Sequence, residues 1–466
     1  MRGLETYQRR MKGLPAGITA AEAEAERTQL LSLEVMQGEN KGVQCSDVTE
    51  LFIRVRTKDE EGEKSGFYYT QNLEEDPREA LKRAAENAAF AAKETSECFL
   101  SPEEAWKPSP KDEAYTAEAV NTREVPFSVL EEKAHEMEAV LRRENPGAQI
   151  LLRLIQTKET RGLINSLGTE MEAAVIRFEA EMEFAEEQGG VPYFYSICQS
   201  SEKLEDLQAV FFLKQIRKRR NLRLPKGTLE AGEYPAVLDC ETAANLFATA
   251  WQMFTAKNYL ADATPYAGRL GEKVTGEAVS IRNLPSIPEG GYRCVFDCEG
   301  SGAEPLELVK NGVLEELMQT VSTARAMGTS PTGTTGRKAL LSGNIHTDLI
   351  PMPANFRLEK GERETELLLK EMGNGVYVTE SFDVFHSINI ASGEFHVPCR
   401  GILVENGECK ACVEGITING TIQDLLRDTL EVGSEVQVRP MDLLKSYTVC
   451  APAMRIRSLN VTGSQS

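Results

Sequence analysis

Residues 176–184 read IRFEAEMEF, and this stretch decides the fold class of the first half of the chain. Apolar residues from Ile176 to Phe184 alternate with Arg177 and three glutamates. A period of two places successive side chains on opposite faces of a strand, so one face would line a core and the other would meet water. The stretch therefore predicts a half-buried strand, which is typical of antiparallel sheets.

Helical patterns flank this strand in the sequence. An N-cap aspartate followed by proline predicts a helix from Asp76 to about Lys93. A second helix is predicted from Ser128, where Glu131 has the spacing of a capping box, to the Asn-Pro-Gly stop at 145–147. The remaining elements predicted here are strands over 150–155 and 193–198 and a helix that opens at Ser201.

Turn signals become denser after residues 225–235, which form the predicted domain boundary. Asn406-Gly407 between two apolar runs predicts a β-hairpin. Helices in this half are predicted only at about 241–256, 305–326, 363–371 and 422–430. The predicted fold class is therefore α+β, with a mixed helix/antiparallel-sheet domain over 1–226 and a strand-rich domain with few helices over 233–466.

Composition limits the function classes. The chain has 466 residues and a formal net charge of −20, so its surface would repel phosphate backbones and anionic membranes. No apolar stretch has the length of a secretory signal or a membrane span. The ten cysteines are scattered, which favours free thiols in a reducing compartment. We expect a cytoplasmic protein that binds neither nucleic acid nor membranes.

One basic run, residues 214–226, departs from the acidic balance. It has two interpretations: a nucleic-acid or localisation patch, or the cationic end of a helix that complements the helix dipole. No aromatic residues are interleaved for base stacking, and this favours the helix end.

Histidine, the commonest zinc ligand, occurs only four times. His135-Glu136 is the single His-Glu pair, and Ala139 stands where a zincin would place its second histidine. His346, His386 and His396 are dispersed over strand and loop sequence. These spacings define no metal site.

The cysteine pairs and one glycine-rich loop also lack the context of a functional motif. Cys409 and Cys412 form a lone C-x-x-C inside the predicted hairpin, and the Cys294/Cys298 pair is equally isolated. Residues 328–338 read GTSPTGTTGRK, which lacks the Lys-Ser/Thr of a P-loop. We interpret this segment as a mobile or substrate-facing loop and the cysteines as core or strand residues.

Several motifs of the second half resemble the TldD/PmbA family in order and spacing. They are DCEG at 297–300, GVLE at 312–315, ARAMG at 324–328, PTG at 331–333, ASGEF at 391–395, LVENGE at 403–408 and VEGITING at 413–420. The first half is more loosely similar, through NSLG at 165–168 and the helix around residues 84–92.

The resemblance implies one of two kinds of subunit. The TldD kind carries His-Glu-x-x-x-His on a helix early in the C-terminal domain, with a cysteine near the C-terminus, and binds catalytic zinc. The TldE (PmbA) kind lacks those ligands and pairs with the first kind to close a protease chamber. Here the matching helix, residues 241–252, contains no histidine; Glu241 would act as a first-turn charge, and Cys450 is given no zinc role.

The sequence thus predicts a non-catalytic, TldE/PmbA-like subunit of a cytosolic zinc-protease assembly. No catalytic, cofactor-binding or metal-binding residue is assigned to this chain, and zinc is expected only in a TldD-like partner. That partner or a second copy would complete a dimer acting on unfolded peptides or peptide precursors. The alternative is a stand-alone homodimeric peptide- or ligand-binding protein. A third hypothesis is an enzyme that uses His346, His386 or His396 with Asp383 or Glu394.

Overall fold

A computed structural model describes residues 3–59, 62–90, 99–339, 345–440 and 447–463, with the backbone alone at 59, 338–339, 345–348 and 440. The described chain is α+β and rich in strands, which confirms the predicted fold class. It divides into two compact units, each assembled from separate stretches. The first holds Met1–Ile216, Arg293–Ala303 and Thr320–Leu349; the second holds Arg217–Tyr292, Glu304–Gln319 and Ile350–Ser466.

The first unit is built on one large antiparallel sheet. Its strands are β1 (Ile18–Met36), β2 (Glu39–Asp59), β3 (Gly62–Thr70), β4 (Gln149–Asn165), β5 (Glu170–Gln188) and β6 (Val191–Ser201). They are ordered β3-β2-β1-β4-β5-β6. The predicted strand at 176–184 lies within β5, and Phe178 and Phe184 are buried as expected. The opposite face of β5 is less exposed to solvent than predicted, because Glu179 is also buried and pairs with Arg177 at 3.2 Å.

Helices cover one face of this sheet. They are α1 (Leu4–Met11), α2 (Pro77–Ala88), α3 (Ala117–Asn121), α4 (Phe127–Glu144) and α5 (Ala209–Asn221), whose last residues belong to the second unit. Leu130 and Leu141 of α4 pack in one core cluster with Phe178. Leu81 of α2 packs in another with alanines of β1. Short 3₁₀ helices occur at Pro110–Tyr115 and Leu204–Asp206.

Two stretches from the later part of the sequence complete the first unit. One is 293–303, and the other, 320–349, contains α8 (Val321–Met327), β11 (Thr335–Ala339) and the start of β12 (Ile345–Pro351). Phe296 and Val321 join a core cluster with Leu163 of β4. Residues from much later in the sequence therefore contribute to the core of the first unit.

A ten-stranded sheet forms the second unit. Its strands are β7 (Gly232–Leu238), β8 (Ile281–Leu284), β9 (Leu306–Lys310), β10 (Val313–Leu314), β13 (Asn355–Leu358), β14 (Gly375–Ser381), β15 (Glu394–Glu405), β16 (Glu408–Thr421), β17 (Thr429–Pro440) and β18 (Thr448–Thr462). Because β18 pairs with both β16 and β7, the strands β7, β14, β15, β16 and β18 close into a ring. At the predicted hairpin, Asn406 and Gly407 both have positive φ (54° and 78°) and join β15 to β16, as predicted.

The helices of the second unit are short. They are α6 (Cys240–Ala250), a 3₁₀ helix (Trp251–Phe254), α7 (Ala256–Leu260), α9 (Thr365–Met372) and α10 (Ile422–Arg427). Of these, α6 packs against β14, β17 and β18. In the part of the chain that the structure describes, no helix has both the length and the apolar character needed to cross a bilayer.

Some predicted element boundaries were wrong. Ser201 ends β6 instead of opening a helix, because its hydroxyl bonds to the Asp206 carboxylate at 2.7 Å and a turn intervenes before α5. The helix predicted at 305–326 begins instead as the hairpin β9–β10, where Asn311 and Gly312 adopt the positive φ that a tight turn requires, and only the end of the range is helical, as α8.

The two predicted helix starts had different outcomes. The Asp76 carboxylate caps α2 by accepting from the Arg78 amide at 2.9 Å, as predicted, although the helix ends at Ala88 and Lys93 lies outside the described residues. The capping box at Ser128 does not form, since Pro126 occupies the N-cap of α4 and Glu131 accepts a hydrogen bond from Asn40.

Candidate functional site

The helix that the resemblance singles out, α6, is buried around almost its whole circumference. Of its eleven residues only Glu241 is partly exposed. Most of its buried side chains are small or apolar, such as Ala244 and Phe247, and a helix of that composition is stable only when it is enclosed. The strand β7 leads directly into α6. The first turn of the helix therefore lies at the end of the parallel pair formed by β7 and β14.

Three polar side chains converge on Asp239, the N-cap of α6. Lys218 Nζ lies 2.8 Å from Asp239 Oδ2, and the Tyr377 hydroxyl donates to the same oxygen. Asp239 Oδ1 accepts from the Glu241 amide at 3.0 Å and from the Cys240 thiol at 3.4 Å. Both carboxylate oxygens are thus occupied by donors, one of them cationic.

These contacts fix the protonation states of the group. Burial alone would raise the pKa of Asp239, but the Lys218 ammonium and the hydrogen bonds outweigh it and hold that pKa below its usual value. Burial, reinforced by the negative charge of Asp239, raises the pKa of the Cys240 thiol. Asp239 is therefore a carboxylate, Lys218 an ammonium and Cys240 an uncharged thiol.

The first turn of α6 can be compared with the His-Glu-x-x-x-His spacing of the catalytic subunits. If the motif is placed with its glutamate at Glu241, which is the only glutamate of α6, its two histidines would fall at Cys240 and Asn245. Glu241 is engaged by Arg219 at 2.7 Å, and Asn245 donates through Nδ2 to Ser381 Oγ at 3.1 Å. The glutamate of this turn is therefore neutralised by a guanidinium, and neither flanking position holds a histidine.

This donor set does not fit a zinc ion. Zinc takes thiolates, neutral imidazoles or free carboxylates, whereas Cys240 is protonated and lies 3.9 Å from the Lys218 ammonium. Cys450 is buried in β18, and burial raises the pKa of its thiol to about 12. Within the described ranges no three His, Cys, Asp or Glu side chains are grouped as a metal site would require.

Asn245 and Thr249 add a feature that the sequence reasoning missed. They lie one turn apart on α6, are 5% and 6% exposed, and their Asn245 Oδ1 and Thr249 Oγ1 atoms have no hydrogen-bond partner. The sequence signal was present, because a polar residue every fourth position from Glu241 marks one face of a helix. By contrast, nothing in the sequence indicated that Lys218 would meet Asp239 across an intervening strand.

The structure does not bring the described histidines together with the acids of the third hypothesis into one enclosed site. His135 lies on α4, and its Nε2 atom contacts Asn40 Oδ1 at 2.7 Å. His386 contacts Asp383 at 2.5 Å in an exposed turn, and His396 contacts Asn419 at 2.9 Å. Glu394 accepts a hydrogen bond from Ser392 instead. The side chain of His346 lies outside the described residues.

The cysteines named above are distributed over both units. Cys409 and Cys412 are half-buried on β16, opposite Val404 and Ile402 of β15, as residues of a hairpin. Cys294 and Cys298 are buried in the first unit, where burial raises the pKa of both thiols. All four are free thiols with raised pKa values, so none has the low pKa of a reactive cysteine.

The glycine-rich segment 328–338 is only partly what was predicted. Its first half is largely exposed, but Thr334, Thr335 and Arg337 are buried. At Gly333 an added Cβ would lie 2.1 Å from the Gly302 carbonyl oxygen, so the backbone passes through a tight packing site. Residues 333–337 are therefore part of the packed interior, and the prediction of a mobile or substrate-facing loop was wrong for them.

The basic run ends α5 and is partly neutralised inside the second unit. Lys218 and Arg219 pair with Asp239 and Glu241, and Lys226 lies 3.3 Å from Glu414. These ion pairs agree with the helix-end interpretation of the run.

With this geometry in place, comparison with known proteins defines the class. Residues 231–463, half of the chain, match the family model described as the PmbA/TldA metallopeptidase C-terminal domain. The chain is 28% identical over 275 residues to the metalloprotease PmbA of Escherichia coli O157:H7 and 31% identical over 216 residues to a metalloprotease of Archaeoglobus fulgidus. These alignments cover 58% and 45% of this chain and 56% and 47% of the relatives, so it spans about half of their length.

Two solved structures share the fold over nearly the entire chain. One is a proposed modulator of a DNA gyrase from Thermotoga maritima, with 25% identity, a TM-score of 0.79 and coverage of 98% of this chain and 100% of that one. The other is TldE from Thermococcus kodakarensis, with 20% identity, a TM-score of 0.80 and coverage of 99% and 100%. The second likeness concerns the fold alone. The chain belongs to the PmbA/TldD metallopeptidase family.

Proposed function

We propose that this chain is the non-catalytic, TldE/PmbA-like member of a cytosolic two-subunit zinc peptidase. A partner that carries His-Glu-x-x-x-His would supply the metal and the hydrolytic chemistry. This chain would complete the dimer and help to enclose unfolded peptides or peptide precursors. No step of amide hydrolysis is assigned to its own residues.

The observation that carries the proposal is the state of the first turn of α6. Hydrolysis by zinc requires about three protein ligands and an open coordination position for water. Here Cys240 is an uncharged thiol, Glu241 is paired with Arg219, and Asn245 offers an amide. The ammonium group of Lys218 already pairs with Asp239, the N-cap of this turn, and so occupies the place of a cation there.

A reconstitution experiment tests the proposal. The chain is purified alone and together with a family member that retains both motif histidines, and cleavage of an unstructured peptide is followed with added zinc and with a chelator. We expect no turnover by the chain alone, a stable complex, and chelator-sensitive turnover by the complex. A complex whose partner has both motif histidines replaced by alanine serves as the inactive control.

Two outcomes would contradict the proposal in different ways. Chelator-sensitive cleavage by the chain alone would show that it holds its own catalytic metal. If the two chains neither associate nor cleave when mixed, while the chain alone binds the peptide, the stand-alone binding protein would replace the subunit assignment.

A further inference from the structure

A buried triad of charged side chains lies in the first unit, outside the α6 site. Arg54 of β2 places Nη2 at 2.7 Å from Glu22 Oε1 of β1 and Nη1 at 3.2 Å from Glu299 Oε1 of the 293–303 stretch. All three side chains are 3% exposed or less. One guanidinium therefore serves two carboxylates that water does not reach.

The two carboxylates are not equally supported. Glu299 Oε2 also accepts from the Val321 amide at 2.8 Å and from the Thr335 hydroxyl at 2.7 Å. Glu22 Oε2 is buried and accepts no hydrogen bond. Since an ionised oxygen without a donor is costly in a dry interior, Glu22 is the carboxylate that gains most from losing its charge.

We propose that Glu22 is a proton-binding site of this protein, which takes up one proton to balance the charge of the Glu22–Arg54–Glu299 triad. With both carboxylates ionised the triad carries one net negative charge, and one proton on Glu22 brings it to zero. The proton stabilises the contact of residues 293–303 with β1 and β2, because the ion pair of Glu299 with Arg54 then no longer competes with an ionised Glu22.

On balance, the surroundings of Glu22 favour its protonated, uncharged form. From β2 it faces Arg54, from the 293–303 stretch Glu299, and from its own strand Glu24. Burial is the largest influence and raises the pKa of Glu22; Arg54 opposes it, and the two neighbouring glutamates add to it, giving about 7. The Phe99 ring packs on the Arg54 guanidinium, with its centroid 4.6 Å away.

Glu24 provides a matched control two residues along the same strand. It is equally buried, but it faces two guanidinium groups, with Arg337 Nε at 3.0 Å and Arg161 Nε at 3.3 Å. Arg161 also lies 3.7 Å from Glu26, so two guanidinium groups serve two carboxylates around Glu24. By contrast, Arg54 alone serves the two carboxylates of the triad.

The sign of the pH effect follows from linkage. The pKa of Glu22 is raised from 4.5 to about 7 on folding, so between these values the folded protein binds more protons than the unfolded chain. Stability from this group is present below about pH 4.5 and is lost as the pH rises through about 7. Asp297, whose pKa burial and Glu299 also raise to about 7, contributes a slope of the same sign.

The test compares Glu22→Gln with Glu24→Gln in urea unfolding from about pH 5 to about pH 9. Glutamine imitates the protonated acid and keeps an oxygen that Arg54 can bond. We expect Glu22→Gln to be nearly neutral at about pH 5 and to favour the folded state over the wild type by about a hundredfold at about pH 9. Asp297 is present in both the wild type and Glu22→Gln. Its contribution to the pH dependence of stability therefore cancels when the two proteins are compared. Glu24→Gln is expected to destabilise at every pH.

Infrared spectroscopy adds a readout that does not depend on folding stability. The wild type should show protonated-carboxyl absorption that disappears as the pH rises through about 7, and this absorption should be weaker in Glu22→Gln by the share of one carboxyl, since Asp297 contributes equally in both proteins. If Glu22→Gln destabilises the protein in alkali as Glu24→Gln does, or if its infrared spectrum retains this absorption unchanged, Glu22 is not the proton-binding site.

Discussion

The two units each contain a buried carboxylate cluster, and the clusters differ in the ratio of cations to carboxylates. In the second unit one carboxylate, that of Asp239, is matched by one ammonium, that of Lys218, and by the hydroxyl of Tyr377. In the first unit Glu22 and Glu299 share the single guanidinium of Arg54. Both clusters connect residues that lie far apart in the sequence.

This ratio gives the two clusters opposite responses to pH. The pKa of Asp239 is lowered on folding, so its contribution to stability is present above its unfolded value of 3.8 and is lost in acid. The pKa of Glu22 is raised, so its contribution is lost as the pH rises. Burial is the largest influence at both sites. At these two sites the number of donors, and not burial itself, therefore decides whether the carboxyl keeps its charge.

The largest effect is expected from Arg54→Met, which removes the cation that the triad shares. Two carboxylates would remain without it, and breaking a buried ion pair by deleting one partner costs about 3–5 kcal/mol. The pKa of Glu22 would rise further without its cation, so the loss should be greatest near about pH 9 and smaller near about pH 5. Urea midpoints at the two pH values measure this, and a loss independent of pH would contradict the shared-cation description.

A smaller loss is expected from Lys218→Met in the other cluster. The Lys218 side chain is 28% exposed, so water can partly replace it, and about 2 kcal/mol is expected at neutral pH. The double variant with Asp239→Asn should recover most of this loss, because asparagine still caps a helix and carries no charge. If the double variant is no more stable than Lys218→Met, the Asp239 charge is not what Lys218 compensates.

The smallest effect is expected from Thr249→Val on α6. The variant replaces a buried hydroxyl that has no partner by a methyl group of the same shape, which should change the free energy of unfolding by about 1 kcal/mol or less, with a gain in stability favoured. Thermal unfolding of the two proteins measures this. A loss of several kcal/mol would mean that Thr249 makes an essential hydrogen bond.

The sequence correctly predicted those parts of the fold that depend on residues close together in the chain. The alternation of 176–184 and the Asn406-Gly407 turn specify their structures within a few residues, and both were confirmed. The hairpin at Asn311-Gly312 was missed because its flanking strands are too short to show a period of two. A periodicity argument needs several repeats before it can distinguish a strand from a helix.

The candidate site was harder to predict, because its partners are distant in the sequence. The absence of a histidine pair from α6 is visible in the sequence. The Lys218–Asp239 pair and the Arg54–Glu299 pair depend on strand order, which no local pattern encodes. Glu22 and Glu24 read as an ordinary alternating strand, and only the fold shows that one faces a shared cation and the other faces two.

The closed ring of the second unit has a consequence for synthesis on the ribosome. Its first strand, β7, needs β18 as a neighbour, and β18 follows every other described strand of the unit in the sequence. Until β18 emerges, β7 and β16 each have an unpaired edge that can join a foreign strand. The nascent chain should therefore depend on chaperones until late in translation, and deleting β18 should leave an open sheet that is prone to aggregation.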